Sequence, residues 1–236
     1  PPRSTLFPYT TLFRSYPGGG NYPTREWTPG EVFCDAYDVL VDPSAKAPAA
    51  ATVDVGLYDA KTQERLQALD RSGDPLERVL LVPVKVTTWV PHEYSIDHPV
   101  DYTLGTDIRL VGYRIEEEAG AGGDTLDVAL YWRADVSPPE DYTVFVHLVD
   151  ATGMLVGQHD GQPVDGSYPV SLWDPGETVK DEHSIALPAG SAPGEYQLQV
   201  GMYRAGDGQR LPVRDAEGRD IGDVITLADV APQVQR

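Results

Sequence analysis

Hydrophobic and polar residues alternate with a period of two along much of the C-terminal half of the chain. Leu126, Val128, Leu130 and Trp132 alternate with Thr125, Asp127, Ala129, Tyr131 and Arg133. Val144, Val146 and Leu148 alternate with Phe145, His147 and Val149, and Tyr196, Leu198, Val200 and Met202 with Gln197, Gln199, Gly201 and Tyr203. Successive side chains of a strand leave on opposite faces, so each run sends one set toward a core and the other outward. Looser runs at 108–115, 155–159, 179–187, 209–213 and 224–230 complete a predicted set of strands separated by Gly, Pro and Asp turn signals. No run carries a helical period. The pattern predicts an all-β chain built as an Ig-like antiparallel β-sandwich.

The chain also repeats itself. Tyr22-Pro23, Trp27, Pro29-Gly30-Glu31 and Asp35 recur as Tyr168-Pro169, Trp173, Pro175-Gly176-Glu177 and Asp181, 146 positions later. Val55-Gly56-Leu57-Tyr58 and Arg65-Leu66 recur as Val200-Gly201-Met202-Tyr203 and Arg210-Leu211, now 145 positions later. Such an offset is about one domain plus its connection. The expectation is a complete sandwich at 106–231 followed by a tail at 232–236. Ahead of it stand the C-terminal half of a first repeat at 16–86 and a proline-stiffened linker at 87–105. Residues 1–15, PPRSTLFPYTTLFRS, resemble the conceptual translation of a sequencing-library adaptor oligonucleotide. They are set aside from fold reasoning, and the natural protein is expected to extend upstream of Tyr16.

Composition narrows the functions. The 236 residues carry 37 acidic and 18 basic side chains, a formal charge of −19, and no cluster of Lys or Arg. That field repels nucleic acid and anionic membrane surfaces, so no nucleic-acid partner is expected. No stretch approaches the ~20 apolar residues of a bilayer span, so no direct membrane insertion is expected. Cys34 is the single cysteine, which leaves no intramolecular disulfide.

A further series joins these features. It comprises Leu104-Gly105, Gly112-Tyr113, Tyr131-Trp132-Arg133-Ala134-Asp135, Asp141-Tyr142-Thr143-Val144-Phe145-Val146-His147-Leu148, Trp173-Asp174-Pro175-Gly176-Glu177 and Arg210-Leu211-Pro212-Val213. With this series the chain resembles a bacterial β-sandwich domain, often in tandem, found behind the membrane-embedded part of glycosyltransferase-like proteins of the dolichyl-phosphate-mannose and arabinose transferase type. The resemblance covers residues 100–231 well and 21–86 in part. It implies a non-catalytic, extracytoplasmic accessory domain at a bacterial cell surface, tethered through a preceding membrane part, with glycan or that membrane domain as partner.

Searches for chemistry return little. There is no Gly-x-Ser-x-Gly elbow, and the five histidines (His92, His98, His147, His159, His183) lack metal-ligand spacing. No metal, cofactor or catalytic residue is expected. Asp215, Glu217, Asp220 and Asp223 could gather oxygens around calcium, but they fail the EF-hand pattern and are expected to form a hydrated turn. Trp132, in phase with Leu126–Leu130, belongs to the core, and Trp27 and Trp173 close one end of their sandwiches. One candidate surface remains. If the strands at 144–149 and 196–203 are neighbours, Phe145, His147, Gln197, Gln199 and Tyr203 form an outward strip of rings and amides suited to sugar C–H faces and hydroxyls. The alternative is a purely structural spacer or interaction domain with no ligand. A hydrolase is the remote third reading.

Overall fold

The computed structural model describes residues 21–42, 47–87, 93–120, 123–187 and 196–230, with Pro17 and Ala45. The adaptor-like segment, the glycines at 18–20, Pro91-His92, positions 121–122 and the tail lie outside the described residues. The chain divides into two compact units at Ala47/Pro48.

In the first unit, residues Thr24–Glu26 form one 3-10 turn, and no strand occurs among the described residues. The turn is organised by Trp27, whose Nε1 donates to the Tyr22 carbonyl at 3.3 Å, while Phe33 sits edge-on to Tyr22 and Trp27. Val32 (94 % exposed) and Leu40 (81 %) are open to solvent.

Among the described residues the second unit holds sixteen strands. Six short ones come first: β1 (Ala49–Ala51), β2 (Asp54–Val55), β3 (Ala68–Leu69), β4 (Pro75–Leu76), β5 (Val79–Leu80) and β6 (Val84–Val86). They pair antiparallel as β1–β6, β2–β5 and β3–β4. The sandwich follows: β7 (His98–Leu104), β8 (Ile108–Gly120), β9 (Gly123–Ala134), β10 (Thr143–Asp150), β11 (Leu155–Gly161), β12 (Thr178–Ala186), β13 (Tyr196–Tyr203), β14 (Val213–Arg214), β15 (Asp220–Gly222) and β16 (Ile225–Val230). One sheet runs β11-β10-β13-β16 and the other β12-β9-β8-β7-β14-β15.

The core is what the alternation predicts. Leu126, Leu130, Trp132, Val144, Val146, Leu198, Val200 and Met202 are fully buried between the sheets. Burying such a side chain stabilises by about 1.5–3 kcal/mol, so this seam sets the register of both sheets.

Two expectations change. Residues 98–104, assigned to a linker, are a strand of the six-stranded sheet, paired with β8 from His98–Tyr113 to Leu104–Ile108. The preceding residues lie over that sheet: Tyr94 packs on Tyr131, and a Cβ on Gly112 would stand 2.1 Å from Ile96 Cγ2. Tyr131 is consequently buried although it faces away from the core. Prolines and a missing alternation conceal such a strand in the sequence, because only part of it faces the core. Asp220–Gly222 is likewise a strand that the sequence reading passes over, being exposed throughout.

Several of the paired positions share a local geometry. Trp173 Nε1 donates to the Tyr168 carbonyl at 3.2 Å after a 3-10 turn at Val170–Leu172, as Trp27 does to Tyr22 after Thr24–Glu26. Glu177 Oε2 accepts from Asp174 N at 3.0 Å, as Glu31 does from Thr28 N at 3.1 Å. Gly176 and Gly30 both take a left-handed φ, 81° and 84°. Within the second unit, the bridge Tyr58–Arg65 recurs as Tyr203–Arg210, and Val55–Val79 recurs as Val200–Ile225.

Candidate ligand-binding face

Strands β10 and β13 are neighbours, paired from Thr143–Tyr203 to Asp150–Tyr196. Directly opposed residues share a face, so Phe145 with Gly201, His147 with Gln199 and Val149 with Gln197 line the outer side of the four-stranded sheet. Strand β11 adds Asp160 beside Phe145 and Gln158 beside His147. The five residues of the sequence-derived strip therefore lie on one face.

They do not form an open ring platform. Phe145, expected to be exposed, is 1 % exposed. Gly201 leaves room for its ring to lie flat against the sheet: a Cβ there would stand 2.5 Å from Phe145 Cζ. Arg210, from the hairpin between β13 and β14, lies over the ring with Cζ 4.4 Å from the centroid, a cation–π contact. Arg210 is held in turn by Asp223 at 3.7 Å. Tyr203 stacks at 6.5 Å and His147 tilts at 4.8 Å on the remaining sides of Phe145. Alternation tells which face a side chain leaves on; it does not tell what covers that face.

The polar margin is also joined internally. His147 Nε2 lies 3.1 Å from Asp160 Oδ1, and Tyr203 Oη donates to Asp160 Oδ2 at 3.3 Å. Burial, then the Asp160 charge, pushes the Tyr203 phenol above its ordinary value. Gln197 is exposed, and Gln199 is half-buried. Arg210 and Asp160 were missed as members of this face. The signal for Arg210 was present in the repeat, where Arg65 takes the matching place. A Cβ on Gly56 would stand 2.6 Å from Arg65 Nε, so that guanidinium covers Gly56 as the Phe145 ring, with Arg210 above it, covers Gly201.

A second polar cluster lies in the interior, where the β11 and β12 edges close the sandwich. Asp181, 1 % exposed, accepts from Trp132 Nε1 at 3.3 Å and from the Val164 amide at 2.8 Å. His183 Nε2 stands 2.8 Å from its second oxygen, and His183 Nδ1 stands 2.7 Å from His159 Nδ1. In a neutral His183 that gives Nε2–H to Asp181, Nδ1 accepts the hydrogen of His159. The bond from Val164 pins a backbone that is left-handed at both Val164 (φ 56°) and Asp165 (φ 51°), a costly conformation for a β-branched residue. This arrangement bridges the sheets and holds a strained turn.

The four acids once considered for calcium each have a protein partner. Asp215 and Glu217 pair with Arg219, Asp220 accepts from Gly222 N, and Asp223 faces Arg210. No group of three His, Cys, Asp or Glu side chains able to hold a metal occurs among the described residues. No helix of the described residues is long and apolar enough to cross a membrane.

No protein-family model, curated protein or solved structure matches the chain.

Proposed function

We propose that the protein is a non-catalytic, extracytoplasmic accessory module whose β-sandwich serves as a spacer and interaction domain beside a membrane glycosyltransferase-like partner. The observation that carries the spacer reading is Phe145. Phe145 is roofed by Arg210 and flanked by Tyr203 and His147, so its ring offers a sugar no free face to stack on. The resemblance of residues 100–231 supports the location and the partner class.

A second reading, weak glycan binding, keeps one support. Gln197, Gln199, His147 and Tyr203 stay on a single face beside Asp160, and amides and carboxylates suit sugar hydroxyls. Calorimetry and a glycan array on the whole chain separate the two. The spacer reading expects no saturable binding at roughly millimolar sugar, a Kd equivalent to only about −4 kcal/mol. Saturable binding that Tyr203→Ala and His147→Ala both remove would establish the glycan face instead.

A further inference from the structure

Residues 49–86 repeat the pairing of the sandwich's C-terminal strands while leaving open the face that the sandwich covers. Val53, Val55, Leu57 and Leu66 correspond to Leu198, Val200, Met202 and Leu211. The four sandwich residues are 0, 0, 0 and 8 % exposed, and their counterparts 36, 48, 42 and 57 %. Leu81, bonded through its amide to the Val53 carbonyl at 2.9 Å, adds 51 % to the same face. Two edges are open as well. Strand β13 carries β10 along its second edge and β14 carries β7, whereas β2 and β3 carry no such neighbour among the described residues. The chain segment matching β12, residues 32–40, tells the same story. Among the described residues β12 pairs as a strand only with β9, and without a β9 counterpart Val32, Val39 and Leu40 stay exposed and no strand forms.

We propose that this face is the receiving half of a second sandwich, and that its occupant is a block of antiparallel strands with the pattern of residues 98–161. The complete repeat shows what such a block supplies. Val144, Val146 and Leu148 cover the core face, β10 closes the β13 edge, and β7 closes the β14 edge. An alternating apolar strip with an unpaired edge favours strand addition over any other mode of docking. The proposal stands whether or not the outer face of the complete sandwich binds sugar.

The test extends the whole chain: a second copy of residues 93–166 is joined directly ahead of Asn21, where Ser167 stands in the repeat. Hydrogen exchange at residues 53–58 and 79–81 is expected to slow by ~100-fold, with loss of most dye binding to exposed apolar surface. Adding Val144→Asp and Val146→Asp in the new copy alone is expected to reverse both. Exchange that stays fast in the extended chain overturns the proposal. So does a concentration-dependent dimer of the unextended chain that protects 53–58, since the occupant is then a second molecule. A further variant guards against a misfolded extension: Val55→Lys with Leu57→Lys in the chain as it stands. It is expected to leave the melting of the complete sandwich unmoved, within about 2 °C. A marked loss of stability there would mean that the face is already covered, and the proposal falls.

Discussion

A Cβ on Gly201 would lie 2.5 Å from Phe145 Cζ and 3.1 Å from the Asp223 carbonyl oxygen, the second of which is backbone and cannot turn aside. Gly201→Ala should therefore destabilise by about 1–3 kcal/mol through overpacking. Phe145→Ala should cost about 3 kcal/mol, a core-like loss from a residue on the outer side of a sheet. In the double variant the ring that clashes is gone, so the two losses should fall short of their sum; urea midpoints of the four proteins measure this. Full additivity would mean that ring and glycine are not in contact. Asp181→Ala leaves Trp132 Nε1, His183 and the Val164 amide without their acceptor. The expected loss is about 3 kcal/mol or more by chemical denaturation, and a change below 1 kcal/mol would contradict the described network. The residue scale was only half legible. Alternation placed Trp132 in the core and the strip on one face. It was silent on Arg210 over Phe145 and on His159 meeting His183, because both contacts bring together chain segments far apart in sequence.

Turns were more legible than strand ends, since short-range chemistry writes them. Asp150 Oδ1 accepts from Thr152 Oγ1 at 2.6 Å, Thr152 N at 2.8 Å and Met154 N at 3.0 Å, fixing the β10–β11 turn. Asp59, Asp70, Asp207 and Asp215 do the same at other turns. The Thr152 hydroxyl and then the Met154 amide hold the Asp150 carboxyl below its ordinary 3.8. Its stabilisation is thus present in full above the unfolded value and is lost as pH falls through the folded one. Asp150→Ala should melt below the parent at pH 7, with the gap closing as pH drops under 3.8. A gap independent of pH would remove the carboxylate from the argument.

Lys85 is the corresponding device in β6. Burial works against its charge, but bonds to Asp174 (2.7 Å), Glu177 (2.6 Å) and the Tyr168 hydroxyl outweigh it and raise its pKa. Together with the bond from Ala50 N to the Ser167 carbonyl, it ties β1 and β6 to the turn around Trp173. Lys85→Ala should speed exchange in 49–51 and 84–86 while leaving the melting of residues 98–230 unchanged. Unchanged exchange would show that this tie contributes nothing. The linker misassignment belongs to this scale also. Ile96 and Tyr94 pack on the outer sheet face, a place that a core-directed pattern does not mark.

At the scale of the whole molecule, the fold class was readable, because it rests on periodicity that survives without knowledge of contacts. The functional reading was not, since a β-sandwich hosts many functions and the candidate face depends on what lies over Phe145. Residues 98–230 form one closed sandwich, while 49–86 repeat half of its pairing with an open face. Five apolar side chains roughly half exposed forgo about 1 kcal/mol each of the burial that their counterparts obtain. Hydrogen exchange followed by mass spectrometry on the intact chain tests this directly. Strands β8, β9, β10 and β13 are expected to exchange only by global opening, as one slow unit, with β1–β6 faster by ~100-fold or more. Equal protection across residues 49–86 and 98–230 would contradict it.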